Sequence, residues 1–464
     1  MDYDVLVIGS GPGGYVAAIR AAQYGLKTAV IEKDAKLGGV CLHVGCVPTK
    51  AYLHYADLYE QMSHSEDFGI GHGPLKLDMV KMRASKQDIV DKHAAGIGML
   101  FKKNKITSIP GYGRLLGGGK VEVDGPDGKK TLAAKSIILA SGSRARMLPG
   151  MEPDPTRILS NIEILDLDKL PKSLAVIGAG AVGMEFASVY RSLGADVTVF
   201  EMLPRALPPE DEDISKEIAR AFKKRGIGLH LDTKVEKITK GPRGVTLDYV
   251  GPDGKKQTHK AEKLLIAVGR APNTENVGLE NTKIKPDRGF VKTNEWMETD
   301  EPGVYAIGDI VAGTPQLAHT ASTEGVVAAA HIAGKPVEPI DYNLNPNATY
   351  CEPQVASVGL SERKAKEAGY DVKVGKFSFA GNSKASILGA HGGFVKVVSD
   401  AKYGEILGVH MIGPLVTELI AEAVVAMKSE ATVESMMNTI HAHPTLPEAI
   451  QEAFNSVQGL QING

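Results

Sequence analysis

Cysteine is scarce in this chain: Cys41, Cys46 and Cys351 are the only three in 464 residues. That excludes a secreted scaffold held by disulfides. Charge is nearly balanced, with a net of −2, so neither nucleic acid nor an anionic membrane surface is an expected partner. No uninterrupted apolar run approaches the roughly 20 residues of a membrane-spanning helix. The chain enters an apolar strand within its first residues, which leaves no room for a signal or transit peptide. A cytoplasmic protein is expected, although a processed organellar chain would read the same way. Hydrophobic residues make up 43% and charged residues 23%, as in an ordinary globular protein, and the length calls for two to four domains. Glycine is in excess, at 52 residues, which points to many tight turns between strands and helices.

The glycines are organised. Asp4-Val-Leu-Val-Ile-Gly-Ser-Gly-Pro-Gly-Gly14 reads as a short apolar strand, a glycine turn and the start of a helix. Gly25 closes that helix, a second strand follows, and Glu32 ends it. This is a complete βαβ nucleotide fingerprint. Gly9 and Gly11 serve the turn and close backbone approach, Gly14 serves helix–strand packing, and Glu32 binds a ribose hydroxyl. The pattern returns 169 residues on, where Gly178, Gly180, Gly183, Gly194 and Glu201 match Gly9, Gly11, Gly14, Gly25 and Glu32 without a gap. Two such units predict two dinucleotides. Apolar runs ending in Gly142 and Gly269 close the two units, and hairpins are expected at Asp127-Gly128 and Asp253-Gly254.

Between the first fingerprint and its closing strand lies Gly38-Gly39-Val40-Cys41-Leu42-His43-Val44-Gly45-Cys46-Val47-Pro48-Thr49-Lys50. On a straight α-helix the two cysteine Cα atoms would be about 8–9 Å apart. An unstrained disulfide reaches about 7 Å at most. A bridge therefore needs a distorted backbone, for which Gly45 and Pro48 supply the means, and such a strained bridge would be easily reduced. The segment reads as a redox-active pair or, alternatively, as two buried thiols.

After residue 272 the chain turns back toward the first domain. Val304-Tyr-Ala-Ile-Gly-Asp309 is a strand with an acid at its carboxyl end, suited to a sugar or ribitol hydroxyl or to capping a helix. An alanine-rich helix over 318–333 follows, whose N-terminus, Ala318-His319, could stabilise negative charge. From about residue 346 the pattern is α+β, with strands near 355–358, 377–379, 394–398 and 406–411, then helices over 415–428, 433–437 and 446–457. One motif there has chemical interest: His441-Ala-His443-Pro-Thr-Leu-Pro-Glu448. A histidine held by a carboxylate makes a base of fixed tautomer, whereas a histidine in a turn is structural. Glu185 has no acidic counterpart in the first fingerprint, and Lys50 is a plausible partner for it.

A fingerprint, GGxCxxxGCxPxK, a second fingerprint, YAIGD and HxHPTxxE, in this order, resemble the pyridine nucleotide–disulfide oxidoreductases over essentially the whole chain. Within them the chain looks most like the branch that oxidises dihydrolipoamide for 2-oxoacid dehydrogenase complexes and the glycine cleavage system. The resemblance implies an α/β protein with two doubly wound dinucleotide-binding domains and a C-terminal α+β dimerisation domain. The expected limits are 1–146 for the FAD domain, 147–272 for the NAD domain, 273–345 for a central return and 346–464 for the interface domain. FAD would lie on Gly9, Gly11, Gly14, Glu32, Lys50, Asp309, Ala318 and His319. NAD would lie on Gly178, Gly180, Gly183, Glu201 and Gly269. Glu201 would repel a 2′-phosphate, and Arg205 is the nearest cation.

The implied catalytic residues are Cys41, Cys46, His443, Glu448, Lys50 and Glu185. Cys41 would meet the substrate and Cys46 the flavin, with Lys50 and Glu185 tuning it. His443, oriented by Glu448, would act on the disulfide of the other subunit of a homodimer. Implied partners are dihydrolipoamide on lipoyl domains and a peripheral-subunit-binding domain. No metal is expected. The cysteine segment departs from the family's usual wording at Val40, His43 and Thr49, and Cys351 is an extra thiol expected in a core or interface. A reductase for another disulfide or for a quinone, and a weakly catalytic docking core, are the competing readings.

Overall fold

The structure is a computed structural model and describes residues 1–463. It divides into two compact units, one of Met1–Ala51, Val80–Arg146 and Gly269–Ile340, the other of Tyr52–Met79, Met147–Val268 and Asp341–Gly464.

In the first unit, Tyr3–Ile8 is the centre of a parallel sheet, flanked by Thr28–Glu32 and then Thr107–Pro110 on one side. On its other side lie Gly128–Leu139 and then Val304–Ala306, so the late strand closes a sheet begun at the N-terminus. Gly128–Leu139 is long enough to leave this sheet and pair antiparallel with Lys120–Gly125, which pairs in turn with Tyr112–Gly117. Gly125 faces Gly128 across that hairpin, so its turn residues are Pro126 and Asp127. The expected turn, Asp127-Gly128, is one residue late, because Gly128 already pairs in the strand. Helices Pro12–Gln23 and Ala318–Ile332 pack together through glycine, since a Cβ on Gly325 would stand 2.7 Å from the Gly13 carbonyl oxygen.

The second unit repeats the nucleotide architecture. Ser173–Ile177 pairs parallel with Asp196–Phe200 and with Lys263–Ile266, and Gly228–His230 and Ile158–Leu159 complete the sheet. Leu174 faces Val197 as Val5 faces Thr28, so the sequence repeat is also a repeat of register. A three-stranded antiparallel sheet, Lys234–Gly241, Gly244–Val250 and Lys256–Ala261, adds the hairpin at Asp253-Gly254.

The rest of this unit is an antiparallel sheet ordered Asn347–Thr349, Gln354–Gly359, Ile406–Gly413, Phe394–Asp400 and Val372–Ser378. Its apolar core includes residues of helices Val416–Lys428, Val433–Met437 and Glu448–Val457. One cross-strand row is polar: Ser357, His410, Lys396 and Lys376 are successive partners. Lys396, 3% exposed, is held by Asp211 at 2.9 Å, Asp213 at 3.1 Å and Glu362 at 2.9 Å. Burial would push its ammonium pKa down, but the three carboxylates outweigh that and raise it.

Candidate active site

Each fingerprint builds a cradle at the carboxyl end of its first strand. Gly9 and Gly178 have φ of +104° and +108°, and a Cβ at either would lie 2.3 or 2.2 Å from the Ala140 or Ala267 carbonyl oxygen. Only glycine fits there. A Cβ on Gly11 or Gly180, by contrast, would meet nothing within 4 Å. Both are N-caps without a side-chain cap, so the first N–H groups of helices Pro12–Gln23 and Ala181–Ser192 stay open to an anion.

The acids are held alike. Glu32 accepts from Ser10 N at 2.8 Å, Ser10 Oγ at 2.6 Å and Asp34 N at 3.0 Å. Glu201 accepts from Ala179 N at 2.7 Å and Leu203 N at 2.8 Å. Pyrophosphate and ribose therefore both find suitable groups in each cradle. Arg205 is occupied by the Pro208 carbonyl at 2.9 Å and Glu212 at 3.6 Å, so it is not poised for a 2′-phosphate.

Asp309 lies in a 3₁₀ turn, Gly308–Ile310, straight after strand Val304–Ala306. It caps no α-helix, since the N-cap of Ala318–Ile332 is Leu317. Its Oδ2 accepts from Ser143 Oγ and lies 3.5 Å from Arg270 Nε, which also donates to Ser143 Oγ at 2.6 Å. The N-terminus carrying Ala318 and His319 has no side-chain cap. Gly269 has φ +103° and its carbonyl accepts from Arg146 N.

The cysteine segment is not one helix. Helix Gly39–Val44 stops at Gly45, and helix Cys46–Ser63 starts immediately after it. A Cβ on Gly45 would stand 2.9 Å from the Val40 carbonyl oxygen, so glycine makes the break possible. Pro48 lies in the first turn of the second helix, where a missing N–H costs little, so the distortion comes from Gly45 and not from Pro48. The break brings the cysteines side by side as thiols, with the Cys41 side chain hydrogen-bonded to Cys46. That bond first, and burial second, push the Cys41 thiol well up. A thiol held in its protonated form needs a base before it can act as a nucleophile.

A histidine–carboxylate pair is present in the second unit. His443 Nδ1 is 2.9 Å from Glu448 Oε1, and Glu448 Oε2 accepts from Thr445 N at 2.7 Å. Burial would raise the Glu448 carboxyl, but the Thr445 amide and the His443 ring outweigh it and hold it below its usual value. The His443 side chain is 69% exposed, so its second ring nitrogen is accessible. Lys50 is half-buried in helix Cys46–Ser63, while Glu185 is 4% exposed and accepts from Tyr350 N at 3.0 Å. Cys351 is fully buried with Sγ 3.4 Å from the Pro353 carbonyl, and burial pushes its thiol up, as befits a core residue.

Sequence reasoning did not reach Ser143, Arg270 or Glu324. Ser143 and Arg270 each follow a closing glycine, Gly142 or Gly269, so the echo between the two closing runs was their signal. Glu324, fully buried, accepts from Gly308 N and thereby fixes the turn that carries Asp309. The one acid of an alanine-rich helix was the clue. Among the described residues no cluster is suited to a metal ion, and no helix is long and apolar enough to cross a membrane.

Two nucleotide cradles, a neighbouring cysteine pair and a carboxylate-held histidine define a nucleotide-dependent dithiol–disulfide oxidoreductase. The chain belongs to the pyridine nucleotide-disulphide oxidoreductases: that family's model matches residues 3–325, and its dimerisation domain matches 345–454. FAD and NAD are the family's cofactors, and the dimerisation domain makes the protein a homodimer. The chain is 47% identical to the dihydrolipoyl dehydrogenase of Rhizobium etli over 478 aligned residues, covering 99% of each. It is 45% identical to that of Bacillus subtilis, over 100% of this chain and 99% of the relative. Among solved structures, LpdA of Mycobacterium tuberculosis superposes with a TM-score of 0.90 at 28% identity, covering 97% of this chain and 99% of that one. The flavoprotein disulfide reductase RclA of Escherichia coli, at TM-score 0.87 and 24% identity over 98% of this chain and 99% of its own, shares the fold.

Proposed function

We propose that this chain is a dihydrolipoyl dehydrogenase, oxidising dihydrolipoamide to lipoamide with NAD⁺ as the final acceptor. The observation that carries the reading is the Cys41–Cys46 pair, set side by side by the Gly45 break at the end of a nucleotide-binding strand–helix unit. Full-length likeness to named dihydrolipoyl dehydrogenases supports it.

The working form carries a Cys41–Cys46 disulfide. His443, with Nδ1 fixed by Glu448, takes a proton on its other nitrogen from a substrate thiol. The thiolate attacks Cys41 Sγ, a mixed disulfide forms, and Cys46 leaves as a thiolate. The second substrate thiol then closes onto the first sulfur and expels Cys41, its proton passing to the departing Cys41 sulfur. Lipoamide departs two electrons and two protons poorer, and the cysteine pair is reduced. FAD, when bound, supplies the two-electron link between a dithiol and a nicotinamide.

In this reading residues 1–146 and the return at 273–345 hold FAD through Gly9, Gly11, Gly14, Glu32, Lys50, Asp309, Ala318 and His319. Residues 147–272 hold NAD through Gly178, Gly180, Gly183, Glu201 and Gly269. Lys50 and Glu185 tune the flavin. Residues 346–464 form the interface, across which His443 serves the cysteine pair of the partner subunit. The protein works in the cytoplasm, on lipoyl domains, docked to a peripheral-subunit-binding domain of a 2-oxoacid dehydrogenase or serving the glycine cleavage system.

The test is turnover with dihydrolipoamide and NAD⁺. Cys46→Ser is expected to abolish it, and His443→Gln to lower kcat/KM by about 10²–10⁴-fold, the usual worth of a general base. A rate no better with dihydrolipoamide than with glutathione, or full activity in Cys46→Ser, would refute the reading.

A further inference from the structure

The loop that carries His443 holds a second histidine–carboxylate pair. His441, two residues earlier, has a side chain 7% exposed. Its Nε2 lies 2.8 Å from Glu422 Oε1, on helix Val416–Lys428, and its Nδ1 lies 3.1 Å from the Thr439 carbonyl oxygen. Both neighbours are acceptors. Both ring nitrogens are thus engaged. His443 differs, since its ring is mostly open and the same carboxylate arrangement leaves one nitrogen accessible.

Other contacts share the work of holding the loop: Asn382 Nδ2 donates to the Thr445 carbonyl at 3.0 Å, and Thr445 N and His443 Nδ1 both meet Glu448. An open cavity of about 480 Å³ lies beside the loop, lined by Val425, Ala426, Met436, Ile440 and Pro447 as well as the pair itself. Further polar ties are Gln451 Nε2 to the Met437 and Thr439 carbonyls, at 3.1 and 2.8 Å, and the His441–Glu422 pair. Gln451 ties the loop to helix Glu448–Val457, and only the pair ties it, among these, to helix Val416–Lys428.

We propose that the His441–Glu422 hydrogen bond positions the His443 loop, making His441 a positioning residue for the dithiol half-reaction. A misplacement of about 1 Å costs on the order of 10²-fold in a reaction that depends on alignment. The inference rests on His443 being the base, and it deepens that reading without altering the chemistry.

The experiment compares His441→Gln, Glu422→Gln, the double variant and His443→Gln as FAD-loaded dimers. Two rates are measured on each: dihydrolipoamide oxidation by NAD⁺, and NADH-driven reduction of ferricyanide, which takes no proton from a dithiol. Each of the first two variants should lose about tenfold or more in kcat/KM for dihydrolipoamide and keep its ferricyanide rate. The double variant should lose no more than the worse single one, because the two residues act as a unit. Unchanged dihydrolipoamide oxidation, an equal fall in both rates, or losses that multiply in the double variant would each overturn the pair's role. His443→Gln separates the two levels. If it leaves dihydrolipoamide oxidation intact the base assignment fails, and if it lowers oxidation while His441→Gln leaves it unchanged, only the positioning role fails.

Discussion

A Cβ added at Gly14 would stand 2.0 Å from the Gly9 carbonyl oxygen, and one at Gly183 would stand 1.9 Å from that of Gly178. Neither clash has a soft partner, because both involve backbone. The substitutions therefore act on one cradle each. Gly14→Ala is expected to yield protein depleted of flavin absorbance. Gly183→Ala should stay yellow and show a KM for NAD⁺ raised by about tenfold or more, since the turn must shift to admit the methyl. Flavin loss from Gly183→Ala with flavin kept by Gly14→Ala would reverse the assignment of cofactors. These glycines were legible in the sequence because the demands on them are local, a turn and a close approach within a dozen residues. The residues around Asp309 were not. Arg270 and Ser143 are 127 residues apart, and no spacing rule in one sequence pairs them.

At the scale of elements, the polar row across the last sheet separates what pattern shows from what packing shows. Phe394–Asp400 reads as an apolar strand, yet Lys396 lies buried in it because segment 211–213, at the start of helix Glu212–Lys224, supplies acids against that face. Period alone does not reveal a buried lysine two of whose three counter-ions lie about 180 residues away in sequence. Strand Val372–Ser378 likewise begins before the expected 377, because its alternation runs through Lys373, Gly375 and Lys376, which carry no apolar signal. Beside the row, Glu210 is 8% exposed, and burial first raises its carboxyl above the ordinary 4.5, with the Ser357 bond opposing. A raised acid favours folding fully below pH 4.5, and that contribution is lost as pH rises through its folded value. Glu210→Gln removes the loss. Thermal unfolding should show the variant gaining on the parent as pH is raised from 5 to 8; a gain that shrinks over that range would contradict the burial argument. His410 has the opposite slope. Burial lowers it from 6.5, so its contribution is present above that pH and lost on acidification.

For the molecule as a whole, the proposed reaction needs two copies. If the base comes from the partner subunit, a heterodimer of a Cys46→Ser chain and a His443→Gln chain contains one intact site and one doubly broken one. If each chain completes its own site, both sites are broken. Random reassociation of the two inactive homodimers should then restore about a quarter of parental activity, from one working site in about half of the dimers. No recovery, with heterodimers verified by mass, would place His443 within its own chain's site. The two-cradle architecture was legible because the fingerprint occurs twice in identical spacing, whereas the way the first unit is pieced together from Met1–Ala51, Val80–Arg146 and Gly269–Ile340 was only partly so. That piecing has a consequence for synthesis. The sheet begun by Tyr3–Ile8 lacks its last strand until Val304–Ala306 leaves the ribosome, while the parallel sheet of the second nucleotide unit is complete once Lys263–Ile266 has emerged. The later cradle can thus form first on the nascent chain, and the earlier one must wait open-edged, with nucleotide capture there deferred until translation has passed its midpoint.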